Sequence, residues 1–276
     1  MKITHIALDL DGTLLNSRNA IEEKTKEALL QLEKEGITLI LASVRPFNSM
    51  LSFSKELELE LFSGYLLSSN GARGFLASSN EELFSITMDE DDLLEVYKYF
   101  KDKPLTPMIL TSDAVYIEEG SQGIIRTKDG KTLDVIHYES SKNGLKVHEV
   151  KHLPSLFSSG VTNLLYVVEP RYLEEHLEGF MDAFSERVSV TSQAPFYLEF
   201  MAKGVNKAEG LKKLGIDSTT LLSFGDALND KEMLAYSRFA VAMKDSPKAL
   251  CDEADLVTVS NNSEGIFKAL QKLELL

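Results

Sequence analysis

The sequence has 276 residues, of which 43% are hydrophobic and 26% charged, as in ordinary globular proteins. This length exceeds the usual domain size of about 100 to 200 residues, so we expect two domains or one domain with a large insertion. The formal net charge of −14 argues against nucleic acids and acidic membranes as partners, since both need basic patches. A lone cysteine, no apolar leader and no apolar stretch of about 18 residues predict a soluble, cytoplasmic protein.

The N-terminal part of the sequence alternates between apolar runs and helical periodicity. Residues 3–8 and 37–41 are predicted strands, and the apolar spacing within residues 21–32 predicts a helix between them. A second helix is predicted after Pro46, and a third strand at residues 65–69.

The C-terminal part repeats this rhythm, which predicts that both ends of the chain form one α/β domain with a parallel sheet. The predicted elements are helix 207–214, strand 220–224, helix 231–236, strand 239–242, helix 246–254, strand 256–259 and a final helix.

The middle of the chain has a different pattern, with an acidic helix predicted at residues 89–101 and a hairpin-like strand pair within residues 188–200. We therefore predict an α/β core domain, formed by residues 1–82 and 197–276, that is interrupted by an inserted α+β domain of residues 83–196.

Three polar residues stand directly after predicted core strands: Asp9, Ser43 and Asp226. Ligands of open parallel sheets bind at the carboxyl ends of strands, so these side chains should converge. Two carboxylates about 4 Å apart would repel by about 4 kcal/mol at an effective dielectric constant near 20. Either a proton or a hard cation must neutralise them, and Mg²⁺, which also binds phosphate oxygens, suits such a site.

The same site contains candidates for phosphoryl chemistry. Asp9 can attack phosphorus, and Asp11, two residues further along an extended chain, points the same way and can exchange protons. Gly12 allows a tight turn beside the ligand. Lys207 opens a helix behind the plausible N-cap Asn206, and its ammonium group and the free amides there could bind an anion.

Other interpretations exist for each motif. The segment Asp9–Thr13 could be a plain turn, whereas a calcium loop needs a glycine and a glutamate where Leu14 and Ala20 stand. Lys207 alone could be a solvated helix residue.

Residues 148–152 spell His-Glu-x-x-His, so a zinc hydrolase that uses His148, Glu149 and His152 is a remote alternative. The alternating residues that precede this motif predict a strand instead of the required helix.

Taken together, these segments resemble, in order and spacing, the four motifs of the haloacid dehalogenase-like superfamily. They are Asp9-Leu10-Asp11-Gly12-Thr13-Leu14, then Ser43, then Lys207, then Gly225-Asp226-Ala227-Leu228-Asn229-Asp230. The large insertion, with Asn70-Gly71-Ala72 ahead of it, is similar to the Cof-type phosphatase branch.

This resemblance implies a Rossmann-like core with an inserted cap, Asp9 as nucleophile and Asp11 as general acid and base. The implied ligands of Mg²⁺ are Asp9, the backbone carbonyl of Asp11, and Asp226. The implied phosphate contacts are Leu10, Ser43, Val44, Lys207 and Asn229. The implied supporting residues are Gly12, Thr13, Arg45, Asn70 and Asp230, with Arg45 and Asn70 lining the crevice near the cap.

One residue departs from the family pattern, which has Thr/Ser-Gly-Arg where this chain has Ser43-Val44-Arg45. Val44 still offers an amide, but a β-branched residue does not tolerate positive φ. If the family glycine uses that freedom, the phosphate loop must be reshaped here.

The predicted function is hydrolysis of small phosphorylated metabolites, with sugar phosphates as the family default. A phosphomutase and a non-catalytic binder of phosphorylated ligands are the alternatives. The sequence does not identify the substrate, and Arg126, Lys128 and Tyr116 are candidate polar residues of the cap. It leaves the oligomeric state open.

Overall fold

The computed structural model describes residues 2–127, 130–192 and 194–276. The chain divides into two compact units, which we name the core unit and the inserted unit. The core unit comprises Met1–Arg45, Met50–Ser85 and Asn206–Leu276, and the inserted unit comprises Pro46–Ser49 and Ile86–Val205. Across the described segments, no helix combines the length and apolar character needed to cross a membrane.

The strands, in chain order, are β1 (His5–Leu8), β2 (Thr38–Ala42), β3 (Tyr65–Ser68), β4 (Arg73–Leu76), β5 (Glu81–Ser85), β6 (Leu105–Leu110), β7 (Ala114–Glu118), β8 (Ile124–Arg126), β9 (Thr132–Asp134), β10 (Lys146–Val150), β11 (Asn163–Val168), β12 (Val188–Thr191), β13 (Tyr197–Ala202), β14 (Leu221–Gly225), β15 (Phe239–Ala242) and β16 (Leu256–Val257). The helices are α1 (Glu23–Lys34), α2 (Phe47–Glu56), α3 (Glu90–Phe100), α4 (Val135–Asn143), α5 (Pro170–Phe184), α6 (Lys207–Lys213), α7 (Lys231–Tyr236), α8 (Lys248–Cys251) and α9 (Gly265–Lys272). Short 3₁₀ turns lie at Ser69–Gly71, Leu153–Ser159, Ser218–Thr220, Leu228–Asp230 and Asn261–Ser263.

The sheet of the core unit has the strand order β16-β15-β14-β1-β2-β3-β4-β5. Its strands from β16 to β3 are parallel, with Leu8 of β1 in register with Leu41 of β2 and Phe224 of β14. The predicted α/β fold with a parallel sheet is therefore confirmed. The antiparallel strands β4 and β5 extend the sheet beyond the prediction, and they follow the Asn70-Gly71 turn.

The parallel strands of the core unit are apolar because they are buried. Ile6, Leu8 and Leu41 have no exposed surface, as expected for strands covered on both faces. One packed cluster joins this sheet to α6 and α7 through Leu211 and Met233. The rigid sheet fixes the positions of the residues that follow its strands.

The inserted unit is a mixed sheet covered by helices, as predicted. Its strand order is β10-β7-β6-β11-β13-β12, and only β10 and β7 pair in parallel. An aromatic cluster packs one face of this sheet against α3 and α5, with Phe100, Tyr166, Phe180, Phe184 and Phe200 in contact.

The two units end at residues that differ from the predicted boundaries at 82/83 and 196/197. The first prediction cuts β5, which pairs with β4 in the core sheet. The second assigns β13 to the core, whereas β13 pairs with β11 and β12 in the inserted unit. The strand β5 is short, largely exposed and begins with two glutamates, whereas β13 is mostly apolar, and neither pattern reveals which sheet a strand beside a junction joins.

Candidate active site

The carboxyl ends of three neighbouring parallel strands carry the polar residues predicted to converge. Asp9 follows β1, Ser43 follows β2 and Asp226 follows β14. Asp9 stays hydrogen-bonded to the sheet, since its amide donates to the carbonyl of Phe224 at 3.1 Å. Leu10 is buried behind it, and its carbonyl accepts the amide of Leu15 at 2.9 Å.

Lys207 is the central cation of the site. Its side chain has no exposed surface, and Nζ donates to Asp9 Oδ1 and, at 2.5 Å, to Asp230 Oδ1. It begins α6, whose N-cap Asn206 accepts the amide of Glu209 at 2.9 Å. The alternative of a solvated helix lysine is therefore wrong, because this ammonium group is buried between two carboxylates.

The fully buried Asp230 orders the loop after β14. Its Oδ2 accepts the backbone amides of Asp226 and Ala227, both at 3.0 Å, while its Oδ1 accepts Lys207. Both carboxylate oxygens are thus engaged by protein donors. Asn229 lies in the same 3₁₀ turn and is partly buried.

The loop after β1 lies directly against Asp226. The Thr13 hydroxyl donates to Asp226 Oδ1 at 2.8 Å. Gly12 has φ +89°, and a Cβ atom there would lie 2.3 Å from Asp226 Oδ2. Glycine is therefore required both by the backbone conformation and by the space available.

Asp9, Asp226 and Asp230 form a group of acidic residues whose ligand atoms lie within 4.8 Å of one another. With the ammonium group of Lys207 as the only cation that contacts Asp9 and Asp230 in the described residues, three carboxylates face one positive charge. Two negative charges stay uncompensated if all three carboxylates are ionised. Hard carboxylate oxygens with excess negative charge suit Mg²⁺.

The pKa values reflect this crowding. Burial raises the pKa of Asp9 well above its usual value, and Asp230 and Asp226 raise it further against the opposing charge of Lys207. Burial and Asp230 raise the pKa of Asp226 to about 6 despite the hydrogen bond from Thr13. Burial lowers the pKa of Lys207, but the carboxylates of Asp230 and Asp9 outweigh it and raise the pKa above its usual value.

Ser43 and Asn70 build the neighbouring loops. Ser43 is buried, its Oγ accepts the amide of Arg45 at 3.1 Å, and its carbonyl accepts the amide of Asn70 at 3.0 Å. Asn70 has φ +57°, and a Cβ atom on Gly71 would lie 2.4 Å from the carbonyl oxygen of Asn206. Val44 is not among the described residues with positive φ, so this backbone does not use the freedom that a glycine would provide.

Arg45 is buried rather than lining an open crevice. Its Nε and Nη2 donate to Asp11 Oδ2 and Oδ1, each at 2.7 Å, and Nη2 also donates to Asn19 Oδ1 at 2.6 Å. The sequence interpretation missed Asn19. No sequence pattern pointed to Asn19, and its φ of +58°, in a region that asparagine tolerates better than most residues, is visible only in the structure.

The His-Glu-x-x-His segment does not form a metal site. Residues 146–150 are the strand β10, as the alternation predicted, so His148 and Glu149 point to opposite sides of the sheet. His148 stacks on Tyr116 at 5.3 Å between ring centroids, and His152 lies 3.4 Å from the carboxylate of Glu118. Within the described part of the chain, the aspartate group is the only metal-type cluster. Of the candidate cap residues, Arg126 lies in β8, and Lys128 falls outside the described residues.

Comparisons with known proteins agree with this geometry. The family model of haloacid dehalogenase-like hydrolases matches residues 6–270, so the chain belongs to this family. It is 26% identical over 280 residues to a 5-amino-6-(5-phospho-D-ribitylamino)uracil phosphatase of Escherichia coli K12, with 99% of this chain and 97% of the relative covered.

Solved structures share the fold. A haloacid dehalogenase-like hydrolase from Bacteroides thetaiotaomicron has a TM-score of 0.84 at 24% identity, covering 99% of this chain and all of that chain. A subclass IIB sugar phosphatase of the same superfamily has a TM-score of 0.78 at 19% identity, with 99% and 100% covered. The predicted family, fold and enzyme class, a phosphoric monoester hydrolase, are confirmed.

Proposed function

We propose that this chain is a magnesium-dependent phosphatase that hydrolyses small phosphomonoesters through a phosphoryl group held covalently on Asp9. The buried ion cluster is the observation that supports this proposal most strongly: Lys207 Nζ joins Asp9 and Asp230, with Asp226 beside them. Burying charges costs folding free energy, so a fold does not need such a cluster for stability. A divalent cation would balance the net charge of −2 that the cluster has when all three carboxylates are ionised, and it could also bind phosphate oxygens.

In the first step, a carboxylate oxygen of Asp9 forms a bond to phosphorus while the ester P–O bond breaks. The leaving alkoxide takes a proton from the carboxyl group of Asp11. In the second step, Asp11 takes a proton from water as the water oxygen bonds to phosphorus and the bond to Asp9 breaks. The net reaction converts ester and water to alcohol and inorganic phosphate, and both aspartates return to their initial state.

The remaining site residues have supporting roles in this proposal. Lys207 holds the nucleophile by its direct contact with Asp9 and offers positive charge to the phosphoryl group. Ser43, Asn229 and the amides of Leu10 and Val44 are the proposed phosphate contacts.

Asp9, Asp226 and the backbone carbonyl of Asp11 would hold Mg²⁺, because Asp230 already uses both oxygens on protein donors. Bound magnesium supplies positive charge for the carboxylates and the phosphate oxygens.

We propose sugar phosphates or similar phosphorylated metabolites as substrates. The aligned Escherichia coli relative is named for a phosphorylated ribityl compound, and a structure of the same fold is named a sugar phosphatase. The net charge of −14 disfavours polyanionic substrates such as nucleic acids.

The proposal is tested by phosphate release from a panel of sugar phosphates and from p-nitrophenyl phosphate, with and without Mg²⁺. Asp9→Asn should lower kcat on the order of 10⁴-fold or more, as for loss of a nucleophile. Asp252→Asn, at an exposed aspartate of the core unit, is the control and should stay active.

Three other results would contradict the proposal. Full activity of Asp9→Asn would exclude the nucleophile. Accumulation of an isomeric sugar phosphate without inorganic phosphate would indicate a phosphomutase. Metal-dependent binding without any turnover across the panel would indicate a non-catalytic binder.

A further inference from the structure

Arg45 is a buried cation whose guanidinium group contacts Asp11 and Asn19. Its side chain is 3% exposed, whereas that of its partner Asp11 is 40% exposed. The guanidinium also lies 5.4 Å from the ring centroid of Phe53. A charge is stable in such a place only when it is paired and hydrogen-bonded. The fold therefore holds this arginine in one place, and its partner Asp11 is the more exposed member of the pair.

The contact between Arg45 and Asp11 sets the orientation of the Asp11 carboxylate and also pairs its charge. Nε and Nη2 each donate to a different oxygen of the carboxylate, at 2.7 Å, which sets both its position and its rotation. Only the planar fork of arginine makes this paired contact, since a lysine ammonium is a single point charge.

Asn19 also holds the guanidinium group, through the nitrogen Nη2 that donates to Asp11. Its Oδ1 accepts from Nη2 of Arg45 at 2.6 Å. The loop that carries Asn19 is built on Asn16, whose Oδ1 accepts the amides of Arg18 and Ala20 and whose carbonyl accepts the amide of Asn19 at 2.9 Å. Nη2 of Arg45 thus contacts both this hydrogen-bonded loop and the side chain of Asp11.

We infer that Arg45 is a positioning residue that directs the Asp11 carboxyl group toward the leaving oxygen and acts through Asp11, not by contact with the phosphate. Asn19 keeps the guanidinium in place. This inference rests on the proposed function, because it assigns a task to Arg45 only if Asp11 transfers the proton. It replaces the expectation that Arg45 lines an open crevice.

The leaving group provides the test, with kcat/KM as the measured quantity because it reports the steps up to cleavage of the ester. Nitrophenolate leaves without a proton, whereas an alkoxide needs one from Asp11. Arg45→Lys should therefore lower kcat/KM for an alkyl phosphate about 10²-fold and for p-nitrophenyl phosphate only a few-fold. Asn19→Ala should also lower kcat/KM more for the alkyl phosphate than for p-nitrophenyl phosphate, but the ratio of the two losses should be smaller than for Arg45→Lys.

Arg73→Lys is the matched control. Arg73 also forms a two-pronged contact, with Glu82 at 2.8 Å for each bond, and lies 5.1 Å from the ring centroid of Phe75. It belongs to the same unit, and its two-pronged contact is made with Glu82 instead of Asp11. This variant should keep the wild-type ratio between the two substrates, which separates the inference from a general effect of replacing an arginine in a two-pronged contact.

A double-mutant cycle tests whether Arg45 acts through Asp11. In the Asp11→Asn background, Arg45→Lys should cause no further loss of kcat/KM for the alkyl phosphate. A further loss of equal size, equal losses for both substrates in the single variant, or a change confined to KM and phosphate inhibition would overturn the inference. Turnover by Asp9→Asn would instead refute the proposed function, so the two failures can be told apart.

Discussion

Residues 9–13 of the core unit and residues 148–152 of the inserted unit are both short motifs that suggest hydrolytic chemistry. The first follows the central parallel strand of a sheet, where Asp9 is 5% exposed and contacts the buried Lys207. The second lies on the edge strand β10, where His148 is exposed and packs on Tyr116. A short chemical motif therefore forms a candidate active site only where the fold brings several charged groups together.

Among the variants that test the difference between the two motifs, replacement of Lys207 should have the largest effect. Lys207→Met leaves Asp9 and Asp230 without their shared cation, so kcat/KM should fall on the order of 10³-fold, as for loss of an electrostatic donor. The free energy of unfolding should fall by about 3 kcal/mol, since a buried charge pair is broken. Activity and urea unfolding measure the two effects.

Lys231→Met is the control for this variant, because Lys231 pairs with Glu253 at 3.0 Å on the surface of the same unit. It should behave as wild type in both measurements. A folded Lys207→Met protein with activity within tenfold of wild type would show that the buried cluster is structural.

Gly12→Ala should have the next largest effect. The new methyl group would lie 2.3 Å from Asp226 Oδ2, so it must displace that carboxylate. Displacement of a group in the site, here a proposed ligand of Mg²⁺, by about 1 Å can lower the rate about 10²-fold. Gly36→Ala has the same backbone problem, φ +92°, but its Cβ atom meets no atom within 4 Å. Both variants should lose stability, but only Gly12→Ala should lose activity in kinetic assays of folded protein.

A buried carboxyl group away from the site, Glu33, predicts a pH effect on stability alone. Burial, with Glu58 and Glu60 nearby, raises the pKa of Glu33 from 4.5 to about 8. The folded state then holds a proton that the unfolded state has lost, so stability falls as pH rises from about 4.5 to about 8. Glu33→Gln stays neutral and should become more stable relative to wild type over this range.

Urea unfolding at the two ends of that pH range measures the difference. Glu27→Gln, on the exposed side of the same helix, is the control and should show no such trend. If the difference in the free energy of unfolding between wild type and Glu33→Gln is the same at both pH values, Glu33 is ionised in the folded protein. Activity should be unaffected, because a buried acid outside the site is not a catalyst.

The smallest effect is expected for the histidine motif. His148→Ala loses only a ring stack at the surface, so its kcat should lie within about twofold of wild type, like most surface substitutions. After chelation, Mg²⁺ and not Zn²⁺ should restore activity. If His148→Ala were inactive and Zn²⁺ restored the activity of the chelated wild-type enzyme, the histidine motif and not residues 9–13 would be the catalytic site.

The sequence was sufficient for the parallel sheet and for the convergence of Asp9, Ser43 and Asp226, because strand periodicity and strand-end placement are local signals. The sequence was not sufficient to predict which side chains these residues contact. The contact between Lys207 and Asp9 spans 198 positions, and no local pattern encodes it.

The boundaries of the inserted unit and the pairing of Arg45 with Asp11 and Asn19 were also out of reach. The exposed strand β5 and the mostly apolar strand β13 both lie beside a junction and have patterns that fit either sheet, so only their hydrogen bonds assign them. Arg45 stands beside Ser43 in a predicted phosphate loop, which suggested a ligand contact. Its burial became apparent only from the position of Phe53 and Asn19.

The central claim is that Asp9 carries the phosphoryl group, and the most direct measurement is mass spectrometry of acid-quenched enzyme during turnover of a good substrate. We expect the added mass of one phosphoryl group on the peptide that contains Asp9, and its absence in Asp9→Asn. Turnover with inversion at phosphorus and an unmodified Asp9 peptide would contradict it, since water would then attack the substrate directly.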